Sequence, residues 1–423
     1  MTIRATVEKL APTGEGIVRT REGVGLVEGA LPGEDVDVEI VRVSSKIWRG
    51  RVSAVHSASP ARISGGHAGG CPACDWAHFE PAAAAAAKRE LFLETMSRIG
   101  RLPAEALGEL PIEASPPGYR LRSRFHVSGR GADTAVGGYA PRTHHVESLA
   151  GCEALTPEMR EELPRLVESI RSSGAAVTEI ATLESLDASR RLARLRAAPE
   201  ERPVTKLARA LAARFEGVRI EDSAGRVLHR SGEPRLWLSV GGRELPATPD
   251  AFFQSNRFLI GALAGFVTAS AAAIAPGQAL DAFGGVGLFA GALLDAGHRV
   301  VSVESHATAA EEAKLARVRW REAKRWRIER ASVLDFAASD SAREALVVVD
   351  PPRAGLGASL ARALAARAES RLIYVSCDPA TLARDLAWIL PEGWRIAEAR
   401  LFDLFALTHR VEAVVVLDRP AAA

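Results

Sequence analysis

Two short motifs offer reactive side chains at places where a chain can present them. Val375-Ser376-Cys377-Asp378-Pro379 carries a thiol, and Val349-Asp350-Pro351-Pro352-Arg353 carries a carboxyl group. Each closes an apolar run of strand type, Leu372-Ile373-Tyr374-Val375 and Leu346-Val347-Val348-Val349. A third stretch, Leu280-Asp281-Ala282-Phe283-Gly284-Gly285-Val286-Gly287-Leu288-Phe289, places an acid at a strand end, then a glycine turn, then a helix. Glycines let a backbone approach a ligand closely, and the crevice after the first strand is where nucleotides bind in parallel sheets.

Taken alone, that turn is ambiguous. Gly285, Gly287 and Ala290 also satisfy the dinucleotide fingerprint. Glu304, about 20 residues further on, would meet ribose hydroxyls in either case. The later strands decide the matter. A hydride-transfer enzyme has no use for a cysteine at the sheet edge, whereas glycine turn, Asp-Pro-Pro loop and strand-end thiol together suit methyl transfer to a base.

The elements around these motifs predict an α/β domain. After about Pro249, Ala279-Leu280-Asp281, Val300-Val301-Ser302-Val303 and the two runs above alternate with helical stretches. Continuously apolar strands separated by helices indicate a Rossmann-like, doubly wound parallel sheet covered on both faces. Residues 1–56 alternate short β-type runs with turns such as Gly14-Glu15-Gly16 and Pro32-Gly33, which predicts a small β-barrel. Ser57 to Gly70 reads as a linker and 80–100 as a helix. From Tyr119 to about Leu245 strand-like and helical runs mix, so 57–248 is expected to be a central α+β domain and 249–423 the catalytic one. The chain has 423 residues, enough for several cores. Its net charge of +2 favours no partner, so any nucleic-acid surface must be local. The start lacks the apolar core of a secretion signal, and Phe258 to Pro276 lacks the density of a membrane span, so a cytoplasmic protein is expected.

The chain resembles the RNA 5-methyluridine methyltransferases, whose bacterial members modify tRNA or large-subunit rRNA. The resemblance covers nearly the whole chain: a TRAM-like (OB-like) barrel, a central domain and a Rossmann-like domain. Its most specific pieces are Phe252-Phe253-Gln254-Ser255-Asn256, Asp350-Pro351-Pro352-Arg353-Ala354-Gly355, Ser376-Cys377-Asp378-Pro379-Ala380-Thr381 and Thr408-His409-Arg410-Val411-Glu412, in this order. It implies that Gln254, Phe283, Glu304 and Asp350 contact S-adenosyl-L-methionine. Gly284 stands where the family usually has a cysteine.

That chemistry needs one thiolate and one base. Carbon 5 of uracil is too weak a nucleophile until a thiolate adds to carbon 6; afterwards a base must remove the hydrogen from carbon 5. Cys377 is the only cysteine in the catalytic region. Glu412, placed in the family's motif for the proton-abstracting glutamate, precedes the strand-like run Ala413-Val414-Val415-Val416-Leu417. The bland alternatives are a buried structural cysteine and an ion pair of Glu412 with Arg410 or His409.

Cys71, Cys74 and Cys152 resemble part of the iron–sulfur site of many family members, a 4Fe–4S cluster held by four cysteines. Gly65 occupies the expected first ligand position, so an outside ligand such as His67 or a water molecule, a zinc site of three Cys and one His, or ordinary reduced thiols are the alternatives. For RNA, Arg120, Arg122 and Arg124 would share one face of a strand, where phosphates could bind. A second basic run, Lys314 to Arg330, holds Trp320 and Trp326, and a solvated helix with inward tryptophans explains it as well. An rRNA target is favoured over tRNA, and a monomer is the default. An RNA-binding protein without catalysis and a dinucleotide-dependent oxidoreductase are the readings from other classes.

Overall fold

A computed structural model describes residues 2–44, 47–63, 73–140, 143–339 and 343–420. Six strands from Thr2 to Ser57 form one sheet. It curls around Val7, Val18, Val27, Val36, Val38 and Trp48, so the alternating β pattern of this region becomes a closed-up barrel core. The central region is a seven-stranded sheet running, in spatial order, from Val146–Ser148 to Val227–Gly232, packed by the helices Pro157–Ser173 and Glu201–Ala212.

The third sheet has eight strands. Their order is Trp326–Glu329, Arg299–Val303, Gln278–Ala282, Glu344–Val349, Ala368–Ser376, Glu412–Asp418, Arg395–Phe402 and Ile112–Glu113. The first five are mutually parallel. Glu412–Asp418 runs antiparallel to both its neighbours. Two separate apolar clusters cover the two faces, one around Leu263, Phe289, Val348 and Val414, the other around Phe92, Val347, Leu364 and Leu386. At about 1.5–3 kcal/mol for each fully buried aliphatic or aromatic side chain, this two-sided burial is the main source of stability here.

Three stretches expected to lie in the central domain pack with the catalytic sheet. The helix Pro81–Gly100 begins where Glu80 accepts the backbone N–H of Ala83 (2.7 Å) and Pro81 sets the first turn. Phe92 and Met96 then enter the second apolar cluster, and Gly100 lies against Ala383 so closely that a Cβ would meet the Ala383 carbonyl oxygen at 3.1 Å. The short strand Ile112–Glu113 pairs in parallel with Leu401 and Phe402, closing that edge of the sheet. Lys88 fixes the arrangement by donating to Asp403 across 2.5 Å, both side chains being buried. The hairpin Leu236–Val240 and Arg243–Ala247 likewise joins the first catalytic cluster. Among the described residues no helix is long and apolar enough to cross a membrane.

Candidate active site

Strand direction creates the site. Parallel strands bring Ala282, Val349 and Ser376 to one rim of the sheet, so their successors Phe283, Asp350 and Cys377 emerge on the same side. Glu412 opens its strand rather than closing it. Because that strand is antiparallel, with Ser376 opposite Ala413, its beginning returns to the same rim and places Glu412 beside Cys377. Asp378 then accepts from the backbone N–H of Thr381 (2.9 Å), and Pro379 starts the helix Pro379–Ile389. The Asp-Pro pair thus caps the helix that ends the turn carrying the thiol, and a helix N-terminus favours nearby negative charge.

Three carboxylic acids and the thiol converge there. Glu412 is 2% exposed, and its Oε1 is buried with no hydrogen-bond partner among the described residues. Burial first, then the Asp350 carboxylate, raises Glu412 well above the ordinary carboxylate range. Burial, followed by the charge of Asp281, pushes Asp350 up to about 7, against a hydrogen bond donated by the Gln254 amide at 3.2 Å. Asp281 is also pushed to about 7 by burial, while accepting from the Ser302 hydroxyl (3.0 Å). Cys377 is half-buried; burial, then Glu412 and Asp350, push its thiol up to about 11, and Arg353 pulls the other way. An orphaned buried acceptor costs roughly 1–3 kcal/mol, so the Glu412 oxygen gains from any donor that reaches this rim.

The glycine turn fits a nucleoside. Phe283, Gly285 and Gly287 all have positive φ (66°, 53° and 103°). At Gly287 a Cβ would fall 2.4 Å from the Trp326 ring, whereas at Gly285 nothing lies within 4 Å, which leaves the turn open on one side. The Glu304 carboxylate accepts the backbone N–H groups of Gly285 (2.9 Å) and His306 (2.5 Å) and is thereby aimed along the turn. Ser302 sits 2.9 Å from where a Gly284 Cβ would be, so the small residue there is matched by its surroundings. On the other flank, Asp385 accepts from Leu356 N (2.6 Å) and from the Tyr374 hydroxyl (2.7 Å), anchoring the Asp350-to-Gly355 loop. Gly355, at φ 70°, has no room for a Cβ beside Asp385.

Next to this rim lies a cleft of about 720 Å³, into which all three regions project. Arg49 comes from the barrel, Arg120 and Arg122 from the central domain, and Arg353, His409 and Arg410 from the catalytic domain; Glu15, Glu28 and Asp75 also line it, Glu15 pairing with Arg49 and Asp75 with His409. The strand alternation expected for the central arginines is present. Arg122 lies in the cleft and donates to the Pro249 carbonyl (3.2 Å), while the exposed Arg124 turns to Glu179 (3.8 Å). His409 does not pair with Glu412; it binds Asp75 through Nδ1, and its backbone N–H donates to Asp75 Oδ1 (3.1 Å). Arg353 and Arg410, whose charges are felt at Cys377 and each other, are site residues that the sequence showed only as parts of motifs.

Gln254 and Asp350 are thus brought together, Cys377 and Glu412 likewise, with Phe283 and Glu304 on the glycine side. Cys74 and Cys152 meet elsewhere. Both are buried, with sulfurs 3.4 Å apart. Two thiolates sharing a tetrahedral zinc would stand about 3.8 Å apart, and thiolates on different irons of a cluster still further. The pair stands in thiol–thiol contact, closer than either arrangement. Cys71, Gly65 and His67 lie outside the described residues. Among those described, no three His, Cys, Asp or Glu side chains gather in a metal-binding group. Trp320 and Trp326 stack inward with centroids 4.7 Å apart, but the second basic run is not the single helix expected: the helix ends at Arg319, and Trp326 opens an edge strand held by parallel pairing with Val300–Val303.

Comparison with known proteins identifies the family and the fold. The family model described as tRNA (Uracil-5-)-methyltransferase matches residues 248–420, and the TRAM domain model matches residues 1–53. An uncharacterized RNA methyltransferase of Streptomyces avermitilis is 32% identical over 98% of this chain and 97% of its own. The 23S rRNA (uracil(1939)-C(5))-methyltransferase RlmD of Halomonas elongata is 29% identical, covering 99% and 89%. In fold, the chain is similar to the Pyrococcus abyssi tRNA (uracil-54, C5)-methyltransferase solved with S-adenosyl-L-homocysteine. The TM-score is 0.78 over 98% of this chain and 99% of that one, at 22% identity. Likeness along the full length, in sequence as in fold, places this chain in the family of S-adenosylmethionine-dependent RNA (uracil-5-)-methyltransferases.

Proposed function

We propose that the protein methylates carbon 5 of a uridine in 23S rRNA through a covalent adduct between Cys377 and carbon 6. The observation that carries this reading is the strand reversal that sets Glu412 beside Cys377 at the open rim. Gln254, Phe283, Glu304 and Asp350 would hold S-adenosylmethionine across the glycine turn, where it supplies the electrophilic methyl group. The Cys377 thiol gives up its proton to solvent and the sulfur bonds to carbon 6, moving the ring's electron pair towards the carbonyl oxygen; that pair returns through carbon 5 to take the methyl group as its bond to the sulfonium sulfur breaks. Arg353 and Arg410 favour the thiolate form electrostatically. Once carbon 5 carries the new methyl, the Glu412 carboxylate removes its hydrogen. The electron pair of that C–H bond restores the carbon 5–carbon 6 double bond and expels the Cys377 thiolate. The basic cleft would grip the phosphates while the target uridine is turned out of its stack. No step passes through Cys74 or Cys152.

The rRNA assignment is supported by relatives named as 23S rRNA enzymes that align along almost the whole chain. The test is methylation by the parent protein and by Cys377→Ala, with methyl-labelled cofactor and purified 23S rRNA or tRNA. The variant is expected to lose activity by about four orders of magnitude or more while still binding S-adenosylmethionine. Activity retained in Cys377→Ala would rule out the covalent route, and label entering tRNA alone would move the substrate.

A further inference from the structure

The edge of the catalytic sheet farthest from Glu412 carries a second basic surface that the reaction does not use. Three separate segments build it around a hollow of about 520 Å³. The strand Arg299–Val303 contributes Arg299; the helix Ala307–Arg319 contributes Lys314 and Arg317; the turn and edge strand after it contribute Lys324, Arg325 and Arg327. The side chains lining the hollow include six cations and not one carboxylate.

How these charges are held matters more than their number. Lys314 and Arg327 have carboxylate partners in Glu311 (2.8 Å) and Glu329 (3.0 Å). Among the described residues, Arg299, Arg317, Lys324 and Arg325 have none within ion-pairing distance. Arg317 instead donates to the Ala323 carbonyl (2.9 Å), and Arg325 to those of Gly297 (3.0 Å) and Leu294 (3.2 Å). Backbone carbonyls orient these guanidinium groups without cancelling their charge. That is a preorganised receptor for anions, and it differs from a solvated helix face, where cations interleave with acids. Trp320 and Trp326, stacked beneath, keep the segments in register.

The location excludes a share in the cofactor pocket. The hollow lies against Gln278, Arg299 and Val300, at the beginning of the strands, while the glycine turn and Cys377 come after their ends. Three strands separate the edge strand from the one leading to Cys377, roughly 19 Å at the usual strand spacing. The hollow is also too wide for a single phosphate.

From charge, orientation and position together, we infer that this flank is an accessory binding surface for the phosphodiester backbone of a duplex arm of the substrate RNA, remote from the target uridine. The inference rests on the RNA reading above. Duplex RNA is recognised by the shape and charge of its backbone, which a broad, sequence-blind surface with four cations outside any ion pair suits.

The test uses the full chain and a labelled RNA duplex of about 20 base pairs without unpaired uridine. Its affinity is measured by fluorescence anisotropy between 50 and 200 mM NaCl. The triple variant Arg299→Gln, Arg317→Gln, Lys324→Gln should bind about tenfold or more weakly. Its plot of log affinity against log salt should be shallower by about 2 to 3, since each lost phosphate contact removes roughly 0.9. Arg317→Lys should keep most of the parent's binding. Methylation of a short single-stranded uridine substrate by the triple variant should match the parent, because that substrate cannot reach the flank. If the triple variant misfolds, Lys324→Gln, at an exposed position, should still flatten the slope by about one. Unchanged affinity and slope would overturn the inference while leaving the Cys377 reading intact. A parent protein that binds duplex but transfers no methyl group would do the reverse.

Discussion

The three described cysteines fall in two contrasting neighbourhoods. Cys377 is half-buried at a rim, faced by Glu412, Asp350 and Arg353, and succeeded at once by a helix N-terminus. Cys74 and Cys152 are buried in the central apolar core, sulfur against sulfur, with Leu155 and Leu163 in the same cluster. A thiol's role depends on which groups stabilise its anion and which molecules can reach it. The first setting supplies charges of both signs and a cleft; the second supplies packing. On the reading proposed above, the first sulfur is the one that reacts.

That contrast can be broken in several ways. Beyond the loss expected for Cys377→Ala, Glu412→Gln should slow turnover by about 10²- to 10⁴-fold, the range of a general base. It should also accumulate a protein–RNA adduct visible on a denaturing gel, because the step that releases Cys377 is the one removed. Absence of adduct with normal turnover would reassign the base.

The pH dependence is a smaller effect. Glu412 and Cys377 must both be unprotonated in turn, and both are shifted upward, so falling pH removes the active forms. The methyl-transfer rate measured under saturating RNA should therefore climb from pH 6.5 to 9, by up to about tenfold per unit where one group limits. A flat or falling profile would contradict the assignment of these groups.

The smallest change is expected at the other pair. Cys152→Ala should lower unfolding stability by about 1–2 kcal/mol, read by denaturant titration, and leave methyl transfer per folded molecule near the parent's. A collapse of activity in a folded Cys152→Ala protein would mean that the buried pair also serves the reaction. Between the two neighbourhoods lies Asp75, next to Cys74 and bound to His409, which makes it the natural point at which any such coupling would pass.

Much of this was readable from the chain. The apolar runs at Leu280, Val301, Val348 and Ile373 are strands, since an all-apolar run between helices has few other solutions. Cys377 and Asp350 come directly after their strands, as the sequence indicates. Periodicity could not show direction and distance. Nothing local in Glu412-Ala413-Val414 reveals an antiparallel strand, yet that reversal is why Glu412 meets Cys377. Nothing near Lys88 announces Asp403, more than 300 residues away. The basic run after Lys314 reads as a helix face until Arg299, from a preceding strand, is seen beside it. Local pattern encodes which side chains a segment buries; partners far along the chain are chosen by the assembled surface.

The short strand Ile112–Glu113 has a bearing on biosynthesis. It and the helix Pro81–Gly100 leave the ribosome long before Arg395–Phe402 and Pro379–Ile389, the elements they cover, have been translated. Phe92 and Met96 must therefore wait, uncovered, for nearly the whole remaining message to be read. A gene fragment starting near residue 249 would release the opposite defect, a naked hydrogen-bonding edge at Leu401 and a bare helix flank at Ala383, and such fragments tend to aggregate.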